Sequence, residues 1–187
     1  MDTITYLKTF IRDKNVASIT PTSPFGVRRV CREINFANSD LIVEYGPGTG
    51  VFTNYLLKYM RIDSRLILIE RNKYFSSILE RTIRDPRVIF VNDSAENVLE
   101  TLRSCQESEA DCIISGIPFL LLSEDMKNRI LYNTHRALKH KGKFLVYQTC
   151  FQADHHFKFY LDRFFPVVNT KFEFMNIPPL RIYEAVK

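Results

Sequence analysis

Residues 41–50 read Leu41-Ile42-Val43-Glu44-Tyr45-Gly46-Pro47-Gly48-Thr49-Gly50. Leu41, Ile42 and Val43 make a short apolar run rich in β-branched side chains, the composition of a strand buried on both faces. A helical pattern begins at Val51, directly after the glycines. Strand, glycine turn and helix together form the layout of a ligand loop in an α/β sheet. The three glycines let the backbone turn tightly and let a ligand approach main-chain atoms that a Cβ would shield.

The chemistry of that loop narrows by elimination. No GxxxxGK[ST] phosphate cradle occurs in the chain. A dinucleotide turn would space its glycines G-x-G-x-x-G. Here Gly46, Gly48 and Gly50 alternate, and Glu44 stands two positions ahead of them. Pro47 removes one main-chain N–H from the turn, which weakens a pyrophosphate reading. A leading carboxylate with alternating glycines suits a cationic nucleoside, although a glycine triplet alone is also compatible with a simple strand-to-helix turn.

Arg65-Leu66-Ile67-Leu68-Ile69-Glu70 reads as a second buried strand ending in an acid. Glu70 lies 20 residues past Gly50, the offset at which the acid of a βαβ site meets ribose hydroxyls. The alternative for Glu70 is a solvated strand end. Asp93 follows a third strand, Val88 to Val91. It either accepts from an adenine amino group, with the main chain of Ser94 and Ala95 beside it, or caps the next helix. A fourth strand, Asp111 to Ser115, runs into Gly116-Ile117-Pro118-Phe119.

Further along, helices are expected at Val51–Met60, Lys73–Arg84 and from Ser123 to Leu138. Lys139, His140 and Lys141 would then precede a terminating Gly142. Phe144–Gln148 is a fifth strand, Asp154–Phe165 a helix, and Lys171–Met175 and Leu180–Val186 a closing pair. Strands so close in sequence should run antiparallel. The expectation is an α/β, doubly wound, mostly parallel seven-stranded sheet with a C-terminal antiparallel hairpin. A helical extension precedes it.

That extension, residues 1–36, holds six basic and three acidic residues, a net +3 out of +5 for the whole chain. Ile4, Leu7, Phe10 and Ile11 fall on one face of a short amphipathic helix, which either docks on the protein's own core or lies on a lipid surface. Ala17 to Pro24 is an extended linker. A second helix, Phe25 to Ile34, turns Val27, Val30, Cys31 and Ile34 inward. Its Arg28, Arg29 and Arg32 form either a solvated face or a phosphate contact. At 187 residues the chain makes one domain, residues 37–187, carrying that extension. No apolar run is long enough to span a bilayer and no secretory signal is evident, so a cytoplasmic protein is expected. Cys31, Cys105, Cys112 and Cys150 lack CxxC spacing, and no metal is expected.

The glycine turn resembles motif I of class I S-adenosylmethionine-dependent methyltransferases. Glu44 to Thr53, Ser115-Gly116-Ile117-Pro118-Phe119 and Asn176-Ile177-Pro178-Pro179 together resemble the bacterial phospholipid N-methyltransferases over nearly the whole chain. The resemblance implies S-adenosyl-L-methionine as cofactor, held by Glu44, Gly46, Gly48, Gly50, Glu70, Arg71, Asp93, Ser94, Ala95 and Ser115. It implies an aminophospholipid such as phosphatidylethanolamine as acceptor, beside Pro118, Phe119 and Tyr147. It also implies peripheral attachment to an anionic membrane surface through residues 1–36. Tyr6, Tyr147 and His155 are candidates for assisting loss of the amine's proton, and Arg28, Arg29 and Arg181 for a lipid phosphate. The ribosomal RNA adenine dimethyltransferases share the glycine turn but carry Asn-Leu-Pro-Tyr at the fourth strand. Gly116 replaces that asparagine, so nucleic acid is the lesser alternative. A small soluble amine, or cofactor binding without catalysis, completes the alternatives.

Overall fold

The computed structural model describes residues 22–150 and 156–187. The amphipathic stripe Ile4–Ile11, most of the linker before Pro24, Tyr6 and His155 lie outside the described residues.

Seven strands form one sheet in the order β3-β2-β1-β4-β5-β7-β6. They are β1 (Leu41–Tyr45), β2 (Arg65–Ile69), β3 (Val88–Val91), β4 (Ala110–Ser115), β5 (Leu138–Thr149), β6 (Val167–Glu173) and β7 (Leu180–Val186). The first five are parallel, and β7 enters antiparallel between β5 and β6. The helices are α1 (Pro24–Cys31), α2 (Val51–Tyr59), α3 (Lys73–Thr82), α4 (Val98–Ser104), α5 (Glu124–Ala137) and α6 (Phe157–Asp162).

Every residue of β1 is buried because both faces of the sheet are covered. Leu41, Val43 and Tyr45 face a core built with Leu102, Ile130, Leu131, Phe157 and Leu161, on the side of α4, α5 and α6. Ile42 faces Val27, Val30, Leu56 and Leu79, on the side of α1, α2 and α3. Period-two alternation puts Glu44 on this second side, under the start of α2.

Three elements depart from the sequence-based expectation. The chain does not end α5 at a Gly142 cap: α5 stops at Ala137 and β5 begins at Leu138. An irregularity follows in its pairing with β4, and Lys141, not Gly142, takes the left-handed conformation at φ 62°. Lys141 N–H donates to the Lys187 carbonyl at 2.9 Å and Lys187 N–H to the Gly142 carbonyl at 3.0 Å. The last residue of the chain thus satisfies main-chain groups that a helix cap would have left free. Strand β6 begins at Val167, four residues before the expected Lys171, leaving Phe174 to Pro179 as the hairpin tip. Helix α6 occupies only Phe157–Asp162.

Helix α1 starts where Ser23 caps the N–H of Gly26 at 3.1 Å. It packs on the hairpin tip: Ser23 N–H donates to Asn176 Oδ1 at 2.6 Å, and a Cβ on Gly26 would meet Leu180 and Asn176 within 3 Å. Lys171 bridges Glu33 and Glu184, and Lys143 pairs with Glu184 from β5.

Candidate active site

In a doubly wound sheet the ligand crevice lies beyond the carboxyl ends of the parallel strands, here the ends of β1, β2, β3, β4 and β5. Gly46, Gly48 and Gly50 have φ values of 65°, 56° and 80°, so the alternating pattern records three left-handed positions. At Gly50 an added Cβ would also meet Leu79 Cδ2 at 3.0 Å, whereas at Gly48 nothing but the Gly46 carbonyl lies within 4.0 Å. The turn is therefore packed from below at Gly50 and open at Gly48.

Glu70 closes the far side of the turn. Its Oε2 accepts the N–H of Gly48 at 3.1 Å and its Oε1 accepts the N–H of Asn72 at 2.8 Å. Gly46 N–H donates to the Ile69 carbonyl at 2.9 Å, which fixes the turn to the end of β2. Asn92, to which the sequence analysis gives no role, donates to the carbonyls of Glu70 at 2.6 Å and Arg71 at 3.3 Å. It ties the ends of β2 and β3 together; an amide just past a buried strand was the available signal. Arg71 itself is exposed.

Glu44 is 1% exposed. Its Oε2 accepts the Thr53 hydroxyl at 2.7 Å, and its Oε1 is buried without a partner. Burial pushes its pKa up to about 8, with Glu70 adding to the rise and the Thr53 hydroxyl opposing it. Thr53 also went unassigned from sequence, although it falls on the inward face of the first turn of α2.

Asp93 serves its local chain. Its Oδ1 accepts from Ser94 N–H at 2.7 Å and from the Asn97 side chain at 2.9 Å, the capping geometry weighed above as the alternative. Ser94 makes no side-chain cap bond, and Ala95 is buried.

At the end of β4, Ser115 is buried and its Oγ accepts the N–H of Ile117 at 3.3 Å. Gly116 N–H bonds to the Tyr45 carbonyl at 3.1 Å. A Cβ built on Gly116 would lie 2.3 Å from the Tyr147 hydroxyl, so that hydroxyl occupies the room a side chain would need. Tyr147 comes from β5 and stacks on Phe52 at 4.1 Å between ring centroids. Pro118 is half-buried. Phe119 is placed differently from the acceptor wall expected of it: it is fully buried, with its ring 4.4 Å from Phe157 and 6.5 Å from Phe144. Its apolar surface is better satisfied in the core than at a polar mouth. It anchors the loop from behind.

The residues present fit a cationic nucleoside. An orphaned buried carboxyl oxygen on Glu44 invites an ammonium group, and an open glycine turn admits a ligand to the main chain beside the Glu70 carboxylate. Among the described residues, no cluster of three or more His, Cys, Asp or Glu side chains forms a metal site.

No family model matches the chain. It is 28% identical over 184 residues to an ornithine lipid N-methyltransferase of Singulisphaera acidiphila, covering 94% of this chain and 91% of that protein. A precorrin-6y C5,15-methyltransferase from Geobacter metallireducens superposes with a TM-score of 0.72 at 16% identity, covering 94% of this chain and 96% of that one. The N-methyltransferase NodS from Bradyrhizobium japonicum gives 0.64 at 13% identity, over 88% and 97%. The fold is thus that of the class I methyltransferases.

Proposed function

We propose that the chain is an S-adenosyl-L-methionine-dependent N-methyltransferase that methylates the amine of a lipid headgroup at a membrane surface. The observation that carries this reading is the junction of the glycine turn with Glu70, set beside the buried, half-satisfied Glu44. The similarity to a lipid N-methyltransferase along nearly the full chain supports it and directs it to a lipid amine. The cofactor, when bound, supplies an electrophilic methyl group.

Glu70 holds the ribose hydroxyls, while Gly46, Gly48 and Gly50 shape the turn that admits the ligand. Glu44 balances the positive charge of the methionine portion, directly or through water, and Asp93, Ser94 and Ala95 border the base. Ser115 fixes the loop that carries Gly116 and Pro118. Methyl transfer asks for alignment and exclusion of water more than for acid or base. The acceptor must nevertheless arrive as a neutral amine, and an alkylammonium has a pKa of about 10.4. The Tyr147 hydroxyl, lodged at Gly116, accepts an N–H of that amine and orients its lone pair. The same hydroxyl leaves no room for the asparagine with which adenine methylases hold a base, which disfavours RNA.

Residues 1–36 cover this rim and meet the lipid surface, with Arg28, Arg29 and Arg32 facing anionic headgroups. The hairpin tip joins them: Phe174, Met175 and Ile177 are 75%, 62% and 85% exposed, and the tip packs directly on the start of α1. Exposed apolar side chains grouped beside arginines suit shallow insertion into an anionic bilayer. No helix among the described residues is long and apolar enough to cross a membrane.

Incubation with radiolabelled cofactor and vesicles containing phosphatidylethanolamine or an ornithine lipid tests the proposal. Label is expected in the extracted lipid; label confined to added RNA or soluble amine overturns the lipid assignment.

A further inference from the structure

Strands β5 and β7 place Gln148 directly opposite Arg181. Opposed residues of an antiparallel pair share a face. Two residues toward the core on that face stand Val146 and Tyr183, both packed with Phe157. The polar pair therefore caps an apolar layer at the end of the sheet where β5 also delivers Tyr147 to Gly116.

Neither side chain is satisfied. Gln148 is 2% exposed, and both its amide atoms are buried without a hydrogen-bond partner. The Arg181 Nε is likewise buried and unbonded. Among the described residues the Arg181 guanidinium pairs with no carboxylate, its contact being the Phe172 ring at 5.4 Å. Glu184 cannot serve it: three residues along the strand, it points to the opposite face, where Lys143 and Lys171 take its oxygens. A fixed cation beside an amide with free N–H donors is a receptor for a small oxyanion. Buried polar groups left open in this way call for a partner.

We infer that Gln148 and Arg181 seat the anionic oxygens of the acceptor, a phosphate or carboxylate, while its amine reaches Tyr147. The inference rests on the methyltransferase reading and narrows it: the acceptor is zwitterionic, an amine and an oxyanion on one headgroup. A planar guanidinium matches either oxyanion through paired N–H donors.

The test compares the parent protein with Arg181→Gln, Arg181→Lys and Gln148→Leu. Acceptors are phosphatidylethanolamine, an N-acylornithine lipid and a long-chain alkylamine, each in phosphatidylcholine vesicles with labelled cofactor. Arg181→Gln is expected to cut the preference for the two zwitterionic lipids over the alkylamine at least tenfold, chiefly through KM. Arg181→Lys should lie between it and the parent. Gln148→Leu should lose preference by a smaller factor, with a Tm at or above the parent's because a stranded amide is gone. Unchanged preference in all three variants overturns the inference.

Calorimetric titration with inorganic phosphate gives a readout independent of turnover. Saturable binding by the parent should disappear in Arg181→Gln; binding that survives there overturns the assignment. Phosphate binding by a parent with no preference among vesicles overturns the headgroup source in favour of free phosphate. A parent that binds phosphate at Arg181 yet methylates no lipid refutes the proposed function while leaving the seat standing.

Discussion

The N–H of Gly48 donates to Oε2 of Glu70 across 3.1 Å, joining the turn after β1 to the acid that ends β2. Residues 22 positions apart in sequence are brought into contact because β1 and β2 are parallel neighbours that end together, Tyr45 opposite Ile69. Two of the features from which the cofactor reading was built are thus a single structural unit.

Glu70→Ala should weaken cofactor binding by about 1–3 kcal/mol, the cost of leaving buried polar groups without a partner. Isothermal calorimetry measures it directly. Glu70→Gln should fall between, since the amide oxygen can still accept from Gly48 but the charge is gone. Unchanged affinity in Glu70→Ala removes this residue from the site.

Glu44 ties stability to pH. Its pKa rises on folding from 4.5 to about 8, so in that interval the folded state holds a proton the unfolded chain has released. Stability from this group is fully present below about pH 4.5 and is lost as pH rises through about 8. Denaturation midpoints of the ligand-free protein should fall over this range, and Glu44→Gln should flatten the slope. Cofactor binding near pH 7 should release a proton, visible as a buffer-dependent binding enthalpy. Equal enthalpies in phosphate and Tris, corrected for buffer ionisation, would count against it.

Gly116→Ala forces a Cβ to within 2.3 Å of the Tyr147 hydroxyl and 2.8 Å of its ring. Overpacking of this kind costs about 1–3 kcal/mol, and urea midpoints should report it. Adding Tyr147→Leu should recover part of the loss, so the double-mutant cycle should show a favourable coupling. Additive effects would show that the two residues do not meet.

Phe174→Ser with Ile177→Ser should reduce sedimentation with anionic vesicles severalfold and leave cofactor affinity at the parent value. Raising salt should weaken the remaining binding, because arginine–headgroup attraction is screened over about 8–10 Å at moderate ionic strength. Undiminished vesicle binding in the double variant would assign the lipid contact elsewhere.

The sequence by itself determined the sheet, the glycine turn and the acid at the end of β2. Runs such as Leu41–Val43 and Leu66–Ile69 have no alternation, so they had to be buried on both sides. Positive φ at three alternate positions admits few residues but glycine. These are local demands, and composition and spacing record them. Only the tertiary structure decided the acceptor side. Phe119 was expected at the mouth and lies in the core, because the choice between a pocket and the interior depends on Phe144 and Phe157, which come from β5 and α6. Lys141 takes the left-handed turn expected at Gly142, because Lys187 pairs with its backbone from the far end of the chain. Gln148 opposite Arg181, and Tyr147 over Gly116, exist only through the register of β5 against β7 and β4. Pairings between distant segments leave no periodicity in either one, which is why they waited for the fold.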